Sequence, residues 1–600
     1  MAGLFSLGFS GAPAMAETVT GITAGTVDPE TGAVTLKTGT FSNEDGSFTK
    51  DEISKIEGSA SSGNTYVLFG SDYTGQGSHN IVSLSGSDTT LSPGVSNGNV
   101  PGIAASYVPG AYYTSQYGST HAITLDSSVK DANGNILSIT DGAVVDDDLA
   151  NSSYYFTNFA GGVSEIGTAN DNKVIVENAV LKGNTSIVGG RSQTIAKNNS
   201  VVLTNAGSDG TSCRWTVIGG AAELSGVDAD IEGAAYDAST LDESQMMASG
   251  NTVTISSDAA MTGTAAAYNR VIGGAGLGNV TGNIVKVNWN EAAESQAASS
   301  AKTSIAQADG GIAGIDTSTG DYNTDDYYLI GNAENNTVYL NNVTVTGIET
   351  VGRYNTYYDS GAVNGGLAYG IAGVNGASGN TVYLANSTVN TAAYGGYMYA
   401  ENRGDLVTDT DADTAAMTLP ITVDSADSEI TVTTPLAASA GVNNNALHVI
   451  KSTLTGGSAG GMMNADDLTD LSGNTVVSVN DNSITLSDGS TASSYLYGGY
   501  LTTESIANLS DEAKVSLDGN SIEMTGESSV SRNMFGAYLE TDSITDLSGE
   551  AKVSVNDNSI TLSDGSTASS YLYGGYLTTD SIANISETSG ISVNGNHVSV

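Results

Sequence analysis

The C-terminal part of the sequence repeats itself every 38 residues, and this period constrains the fold more than any single motif does. The copies begin at Val477, Val515, Val553 and, in shorter form, Ile591. Residues 477–508 and 553–584 differ at one position, which is Glu504 in the first and Asp580 in the second. A fixed period in this range is typical of proteins built from stacked coils, in which each coil contacts only its neighbours.

Each copy alternates apolar and polar residues, which is the two-residue period of a β-strand. Val477 and Val479 flank a serine, and Ile484 and Leu486 flank a threonine. No run is long enough for a stable helix, and β-branched residues dominate the apolar positions. We therefore predict three or four short strands per copy, with the equivalent valines of successive copies lying above one another along a common axis.

A corner separates the first two strands of every copy. The corner residues are Asp481-Asn482, Gly519-Asn520, Asp557-Asn558 and Gly595-Asn596. Asp and Gly both tolerate the left-handed backbone region, so a positive φ is predicted before each asparagine. In a parallel stack the asparagine amides would lie about 4.8 Å apart and could form a hydrogen-bonded ladder. The alternative is that they are turn asparagines that face water.

A looser form of the same unit begins near residue 171. It opens with Asn and an alternating strand and closes on a glycine pair: Asn172–Val176 leads to Gly189-Gly190, and Asn380–Leu384 leads to Gly395-Gly396. Paired glycines inside a strand indicate a bend or a close backbone approach.

The predicted organisation is a residual signal peptide (1–16), an irregular N-terminal β region (17–170), degenerate β-helix coils with loop insertions (171–470) and regular repeats of the same β-helix (471–600).

Composition narrows the possible functions. The chain carries 65 acidic and 18 basic residues, a net charge of −47, so nucleic acid is not expected as a partner because the basic stripes that bind phosphate are missing. A single cysteine, Cys213, excludes an internal disulfide framework. The segment Ala14-Met-Ala16 looks like the end of a signal peptide that lacks its basic start.

These features together resemble the passenger region of bacterial autotransporters of the pertactin and adhesin type, over roughly residues 171–600. The resemblance implies an all-β fold, a single elongated right-handed parallel β-helix, exported through the outer membrane of a Gram-negative bacterium and displayed at the cell surface. The resemblance also implies a C-terminal translocator barrel, and we expect this chain to be truncated before it. The expected partners are host or bacterial surface proteins or glycans. The expected function is a secreted, non-catalytic adhesin or interaction scaffold.

Two other functions stay open. One is a carbohydrate-active β-helix enzyme, of the polysaccharide lyase or glycoside hydrolase type, and the other is a purely structural surface stalk. An enzyme of this kind needs clustered carboxylates with Arg or Lys nearby. Acidic groups occur at Asp146–Asp148, Asp325-Asp326 and Asp409–Asp413, and only the third has a base near it in sequence, Arg403. We interpret them as solvated acidic loops, and we expect no cofactor.

Two short motifs point to weaker binding activities. Asp409–Asp413 has the initial spacing of a calcium loop, but Thr414 and Pro420 replace the glycine and the acid that an EF-hand requires. It therefore predicts at most a weak surface Ca²⁺ site.

The tripeptide Arg403-Gly404-Asp405 matches the integrin-recognition sequence that some adhesins carry. Three residues occur by chance in many sequences, so chance is the default interpretation.

Tyrosine is the most suggestive binding residue. The chain has 29 Tyr against 8 Phe and 2 Trp. In Tyr495-Leu-Tyr497 and Tyr571-Leu-Tyr573 both tyrosines point to the side opposite the leucine. Stacked across coils, they would form an exposed aromatic strip, because tyrosine combines a large contact area with a polar tip. Such a strip either binds glycans or protein or merely covers the sheet.

Overall fold

The computed structural model divides the chain into two compact units, residues 1–221 with 253–267 (unit 1) and residues 222–252 with 268–600 (unit 2). All regular secondary structure among the described residues is β-strand. The strands pair mostly in parallel and form large curled sheets, as predicted for a stack of coils. The described residues are 21–27, 34–37, 66–68, 77–87, 90–91, 102–108, 129–145, 157–164, 167–183, 185–192, 194–208, 214–222, 247–257, 264–265, 267–276, 278–290, 292–295, 302–314, 331–347, 363–371, 375–401 and 441–600.

Sheet 1 contains the strands that follow the corner asparagines. In unit 1 its strands are Gly21–Val27, Val34–Lys37, Asn80–Ser85, Ile136–Thr140, Lys173–Glu177, Ser200–Thr204 and, apart from its first residue, Thr252–Ser256. In unit 2 they are Ile284–Val287, Thr337–Asn341, Thr381–Ala385, Ala446–Ile450, Ser483–Ser487, Ser521–Met524, Ser559–Leu562 and His597–Ser599.

Sheet 3 contains the strands that carry the glycine pairs, and it is the curled one. In unit 1 its strands are Tyr66–Leu68, Gly102–Val108, Thr157–Ser164, Thr185–Ser192 and, apart from its last residue, Arg214–Ala222. In unit 2 they are Ala267–Gly276 apart from its first residue, Thr303–Ala313, Val363–Ile371, Ala393–Glu401, Ser458–Thr469, Leu496–Ala507, Met534–Leu547, Leu572–Thr578 and Ser581–Ile585.

Short strands join these two sheets within each coil. Sheet 2, between sheets 1 and 3, contains Thr90–Leu91, Val144–Val145, Val180–Leu181, Gly207–Ser208 and Thr264–Ala265 in unit 1. In unit 2 the short strands that follow sheet 1 belong to sheet 3 itself; they are Val343–Val345, Thr388–Val389, Thr453–Leu454, Thr491–Ala492, Ser529–Val530 and Thr567–Ala568. The strands before each corner form two separate sheets, which we number together as sheet 4. One contains Ile195–Lys197 of unit 1 and Met247–Ser249, Val280–Thr281, Ala333–Glu334 and Ala377–Ser378 of unit 2, and the other contains Val476–Ser478, Lys514–Ser516, Lys552–Ser554 and Gly590–Ser592 of unit 2.

The predicted alignment of the regular copies is confirmed. Val477 pairs with Val515, Val515 with Val553, and Val553 with Ile591, all in parallel register. The three valines are fully buried, as are Ile484 and its equivalents in the next two coils. Alternation places these aliphatic side chains inside and their polar neighbours outside, so burial of the apolar positions specifies the register.

Parallel stacking extends into the N-terminal part, where the sequence shows no clean period. Asn80–Ser85 pairs in parallel with Ile136–Thr140, which pairs in parallel with Lys173–Glu177. The corner asparagines of these coils are 55 and then 37 residues apart. Because loops of different length interrupt the coils, equivalent residues recur in space but not at a fixed distance in the sequence.

The predicted asparagine ladder is confirmed, and it is buried. Nδ2 of Asn520 donates hydrogen bonds to Oδ1 of Asn558 (3.1 Å) and to the backbone oxygen of Val479 (2.8 Å). Its Oδ1 accepts from the backbone N–H and from Nδ2 of Asn482, both at 3.0 Å. Each amide therefore uses both of its donors and both of its acceptor positions, which is the requirement for burying it without a penalty.

Each of the two units contains a ladder of this kind. The members are Asn80, Asn135, Asn172 and Asn199 in unit 1, and Asn251, Asn283, Asn336, Asn380, Asn445, Asn482, Asn520, Asn558 and Asn596 in unit 2. The residue before each one has a positive φ; in the four regular copies φ is 56°, 71°, 55° and 68° at Asp481, Gly519, Asp557 and Gly595. The left-handed residue turns the chain so that the next side chain points into the core.

A second row of side chains lies two residues earlier, on the outer side of the corner. The backbone N–H of Asp518 donates to Oδ1 of Asn480 (2.7 Å), and that of Asn556 donates to Oδ1 of Asp518 (2.7 Å). Nδ2 of Asn556 also donates to Oγ of Ser592 (3.1 Å). This outer row is half-buried in the regular copies, so water can replace its hydrogen bonds more easily than those of the inner ladder.

The glycine pair makes room for the ladder. A Cβ on Gly499 would meet the side chain of Asn520, and a Cβ on Gly498 would overlap the backbone oxygen of Gly536 in the next coil. The coil of Phe535 carries Ala537 in register with Gly499, so one methyl group fits at the second position of the pair. The first position is glycine in all three regular coils that contain it, Gly498, Gly536 and Gly574, because there the obstacle is backbone.

We predict that Gly498→Ala destabilises unit 2 by about 2 kcal/mol, whereas Gly499→Ala costs less than about 1 kcal/mol. We expect the cost at Gly498 to stay moderate because Ala105 lies in the register position of Gly161, so one methyl group is accommodated at the first position of that coil. Urea unfolding of both variants measures the difference. Equal losses for the two variants would contradict the assignment of the two glycine roles.

Candidate functional site: an aromatic strip beside an acidic row

The outward side of sheet 3 carries six stacked rings in three successive coils of unit 2. The rings lie on either side of the glycine pair in the first and third of these coils and of Gly536-Ala537 in the second. We call them the aromatic strip: Tyr497, Tyr500, Phe535, Tyr538, Tyr573 and Tyr576. The bend at Gly498-Gly499 brings Tyr497 and Tyr500 onto one side, with ring centroids 4.6 Å apart and planes inclined by 15°. The leucine before the pair, Leu496, points into the core instead.

Register aligns the rings into two rows. Phe535 lies 5.4 Å from Tyr497 and 5.1 Å from Tyr573, with interplanar angles of 10° and 8°. Tyr538 lies 5.3 Å from Tyr500 and 5.4 Å from Tyr576. These separations favour contact between neighbouring rings, so the strip is a continuous aromatic surface rather than a set of separate side chains.

The rings of the strip differ in exposure. Phe535 is buried, Tyr497, Tyr500, Tyr538 and Tyr573 are half-buried, and Tyr576 is 38% exposed. Desolvation by burial raises the pKa of Tyr500, and its hydrogen bond to Oε2 of Glu540 (2.7 Å) raises it further. Desolvation, with the charge of Glu540, raises the pKa of Tyr538 to about 12. The phenols therefore stay protonated and able to donate hydrogen bonds at neutral pH.

A row of carboxylates runs beside the strip. Thr503 and Ser505 pair with Thr541 and Ser543, so Glu504 lies in register with Asp542, and the backbone N–H of Asp580 bonds to the carbonyl of Asp542. We call Glu504, Asp542 and Asp580 the acidic row; all three side chains are exposed. Glu540 lies between the strip and this row and is half-buried. The strip thus has one negatively charged border on the same strands.

The sequence prediction found part of this site. Tyr497 and Tyr573 belong to the strip. Tyr495 and Tyr571 lie beside it, 6.3 and 6.2 Å from those rings, and are 39% and 70% exposed. The second row and Phe535 were missed, because alternation alone does not show that a glycine pair returns the next residue to the same side. The recurring Tyr-Gly-Gly-Tyr sequence was the signal that could have revealed it.

A second aromatic column lies on the outward side of sheet 1 in unit 2. Tyr383 stacks between Tyr339 (4.9 Å, 5°) and His448 (4.6 Å, 16°), and Trp289 packs against Tyr339 at 5.1 Å. Lys286 Nζ lies 5.7 Å from the ring centroid of Tyr339. Burial lowers the pKa of His448, which favours its neutral form in this stack. These rings are half-buried and have no carboxylate row in register with them.

A polar cluster lies buried in sheet 3 of unit 2. Asp309 is fully buried; its Oδ1 accepts a hydrogen bond from Asn364 Nδ2 (2.6 Å), and its Oδ2 has no hydrogen-bond partner among the described residues. Arg270 Nε donates to Gln307 Oε1 at 3.2 Å in the same cluster. Desolvation raises the pKa of Asp309 to about 6, although the bond from Asn364 and the charge of Arg270 oppose this shift. The sequence analysis did not single out this cluster.

Several sequence-predicted motifs fall outside the described residues. These are Arg403-Gly404-Asp405, the acidic groups at 146–148, 325–326 and 409–413, and Cys213. In the part of the chain that the structure describes, no group of three or more His, Cys, Asp or Glu side chains is placed to hold a metal ion. The same part contains no helix with the length and apolar character needed to cross a membrane.

Compared with protein-family models, with curated proteins and with solved structures, the chain matches none of them.

Proposed function

We propose that this chain is a right-handed parallel β-helix of the autotransporter-passenger type, and that it works as a non-catalytic adhesin whose aromatic strip binds a glycan at the cell surface. The observation that carries the proposal is the strip itself, six rings in register on the outward side of three successive coils. Tyrosine-rich surfaces present a large, rigid apolar area with hydroxyl tips, which suits the faces and hydroxyl groups of sugars.

The fold does not require rings at these positions. The preceding coil, Ser458–Thr469, has Ala459 in register with Tyr497 and Met462 in register with Tyr500, and its strand pairing is unbroken. Stacking of the coils therefore does not depend on the aromatic side chains. This argues against the alternative in which the rings merely cover the sheet, and for a surface that serves a ligand.

Surface display and export support the same function but rest on the resemblance alone. A passenger of this type passes the outer membrane through a translocator barrel and then presents its coils to the surroundings. A β-solenoid suits this role because each coil contacts only its neighbours and can form in sequence. If the chain is instead a carbohydrate-active enzyme, a bound glycan is cleaved. The binding assay therefore also measures the release of shorter glycan products.

We expect Tyr538→Ala to weaken glycan binding by the full-length chain at least tenfold, since it removes a ring that stacks between two others. Tyr383→Ala is the matched control, because Tyr383 also stacks between two rings but on sheet 1. Binding is measured on an array of linear glycans, and folding of each variant is checked by hydrogen exchange. Unchanged binding by a folded Tyr538→Ala variant, or an equal loss in Tyr383→Ala, would refute the assignment of the strip.

A further inference from the structure

We propose that the glycan bound by the aromatic strip carries free amino groups, so that the ligand is a linear, cationic polymer of amino sugars. This inference rests on the proposed function, which assigns glycan binding to the strip, and it adds the charge class of the ligand. Three independent features support it: the charges that border the strip, the contact between a carboxylate and a ring, and the pairing of the strands that carry the site.

The charge around the strip is strongly negative. Residues 471–600 contain sixteen acidic and three basic residues. Two of the basic residues, Lys514 and Lys552, begin strands of sheet 4, and the third, Arg532, is exposed three residues before Phe535. Glu504 and Asp542 of the acidic row lie on the strands of the strip itself, and Asp580 lies between two such strands. Such a surface repels polymers of acidic sugars and raises the local concentration of cationic ones.

The Tyr500 ring and the Glu540 carboxylate lie close enough together to contact the same ammonium group of a ligand. Tyr500 Oη donates to Glu540 Oε2 at 2.7 Å, so the carboxylate lies at the border of the strip. An ammonium group there gains cation–π attraction from the tyrosine rings and ionic attraction from Glu540. A neutral sugar gains neither of these two interactions, and a sugar carboxylate would be repelled by Glu540.

The strand pairing favours a sugar polymer over a basic peptide. Met534–Leu547 is paired on one side with Leu496–Ala507 and on the other with Leu572–Thr578 and Ser581–Ile585. Its backbone groups are therefore engaged, and an extended peptide cannot add to it as a further strand. Only side chains are offered, and they repeat in each coil with the spacing of paired strands, about 4.8 Å. A ligand with its own regular repeat can contact all three coils, and its weak contacts then reinforce one another.

The test compares oligomers that differ only in their amino groups. The full-length chain is titrated at mildly acidic pH with deacetylated glucosamine oligomers, with N-acetylated oligomers of the same length, with hyaluronate oligomers and with polylysine. We expect the deacetylated oligomers to bind at least tenfold more tightly than the N-acetylated ones, with an affinity that falls as salt is added. Glu540→Gln should weaken their binding about fivefold and leave binding of the N-acetylated oligomers unchanged. Glu523→Gln is the matched control, an exposed acid of the same coil on sheet 1.

The outcomes separate this inference from the proposed function. Equal, salt-independent binding of both glucosamine oligomers would overturn the cationic ligand while leaving glycan binding by the strip intact. Tighter binding of hyaluronate would do the same. Binding of polylysine without any sugar oligomer would overturn both and point to a basic protein partner, and failure of every probe would remove both proposals.

Discussion

Asn520→Ala is expected to destabilise the coils around it by about 3–6 kcal/mol, the largest effect of any single substitution that we predict. Removal of the amide leaves three buried groups without their partner: the backbone oxygen of Val479, and the backbone N–H and Nδ2 of Asn482. Each buried polar group that loses its hydrogen bond costs about 1–3 kcal/mol. Partial entry of water would place the result at the lower end of this range.

Asn556→Ala provides the matched control for the ladder. Asn556 belongs to the half-buried outer row, and its side chain also makes hydrogen bonds to the next coil, to Ser592 and to the backbone of Asn594. Because solvent can replace these bonds, we expect a loss of only about 1 kcal/mol. Urea unfolding, with hydrogen exchange in strand Ser521–Met524, measures both variants. A loss for Asn556→Ala as large as that for Asn520→Ala would show that burial of the inner ladder is not what stabilises the corner.

Asp309→Asn is expected to stabilise unit 2 at neutral pH by about 3 kcal/mol, because a tenfold change in a protonation equilibrium corresponds to about 1.4 kcal/mol. The folded-state pKa of Asp309 is raised from 3.8 to about 6, so folding favours the protonated carboxyl group. A raised pKa gives a contribution that is fully present below the unfolded-state pKa and is lost as the pH rises through the folded-state pKa. The wild-type chain should therefore lose stability between about pH 4 and pH 6. Asparagine does not titrate and avoids this loss.

The measurement is the difference in unfolding free energy between wild type and Asp309→Asn as a function of pH. This difference cancels the contributions of the many other carboxylates. It should be small below about pH 4 and reach its plateau above about pH 6. Hydrogen exchange in strand Thr303–Ala313 localises the effect. A flat difference for Asp309→Asn would mean that its carboxylate is solvated in the folded chain.

Local sequence patterns predicted the coil itself. Alternation placed Val477 and Ile484 in the core, and the Asp-Asn and Gly-Asn pairs predicted both the positive φ and the stacked amides. These predictions succeeded because each depends on only a few consecutive residues. Asn283, preceded by Gly282 and followed by an alternating strand, fits the same pattern, but it was not recognised among coils of unequal length.

The strip and the buried cluster depend on register between coils. Tyr538 reaches Tyr500 and Tyr576 only because strands 38 residues apart pair in parallel and each one bends at its glycine pair or at Gly536-Ala537. Asp309 and Asn364 each precede a glycine pair, but they are 55 residues apart in coils that recur at no fixed period. Neither contact is visible in a local pattern.

The sequence by itself determined what one coil is made of: short strands, a left-handed corner, and an asparagine that points inward. These follow from side-chain alternation and backbone preference, which act within a few residues. Only the tertiary structure decided which side chains of different coils meet, and thus where the aromatic strip, its acidic border and the buried carboxylate of Asp309 lie. The loops between coils vary in length, so distance along the chain carries no information about neighbours across the stack.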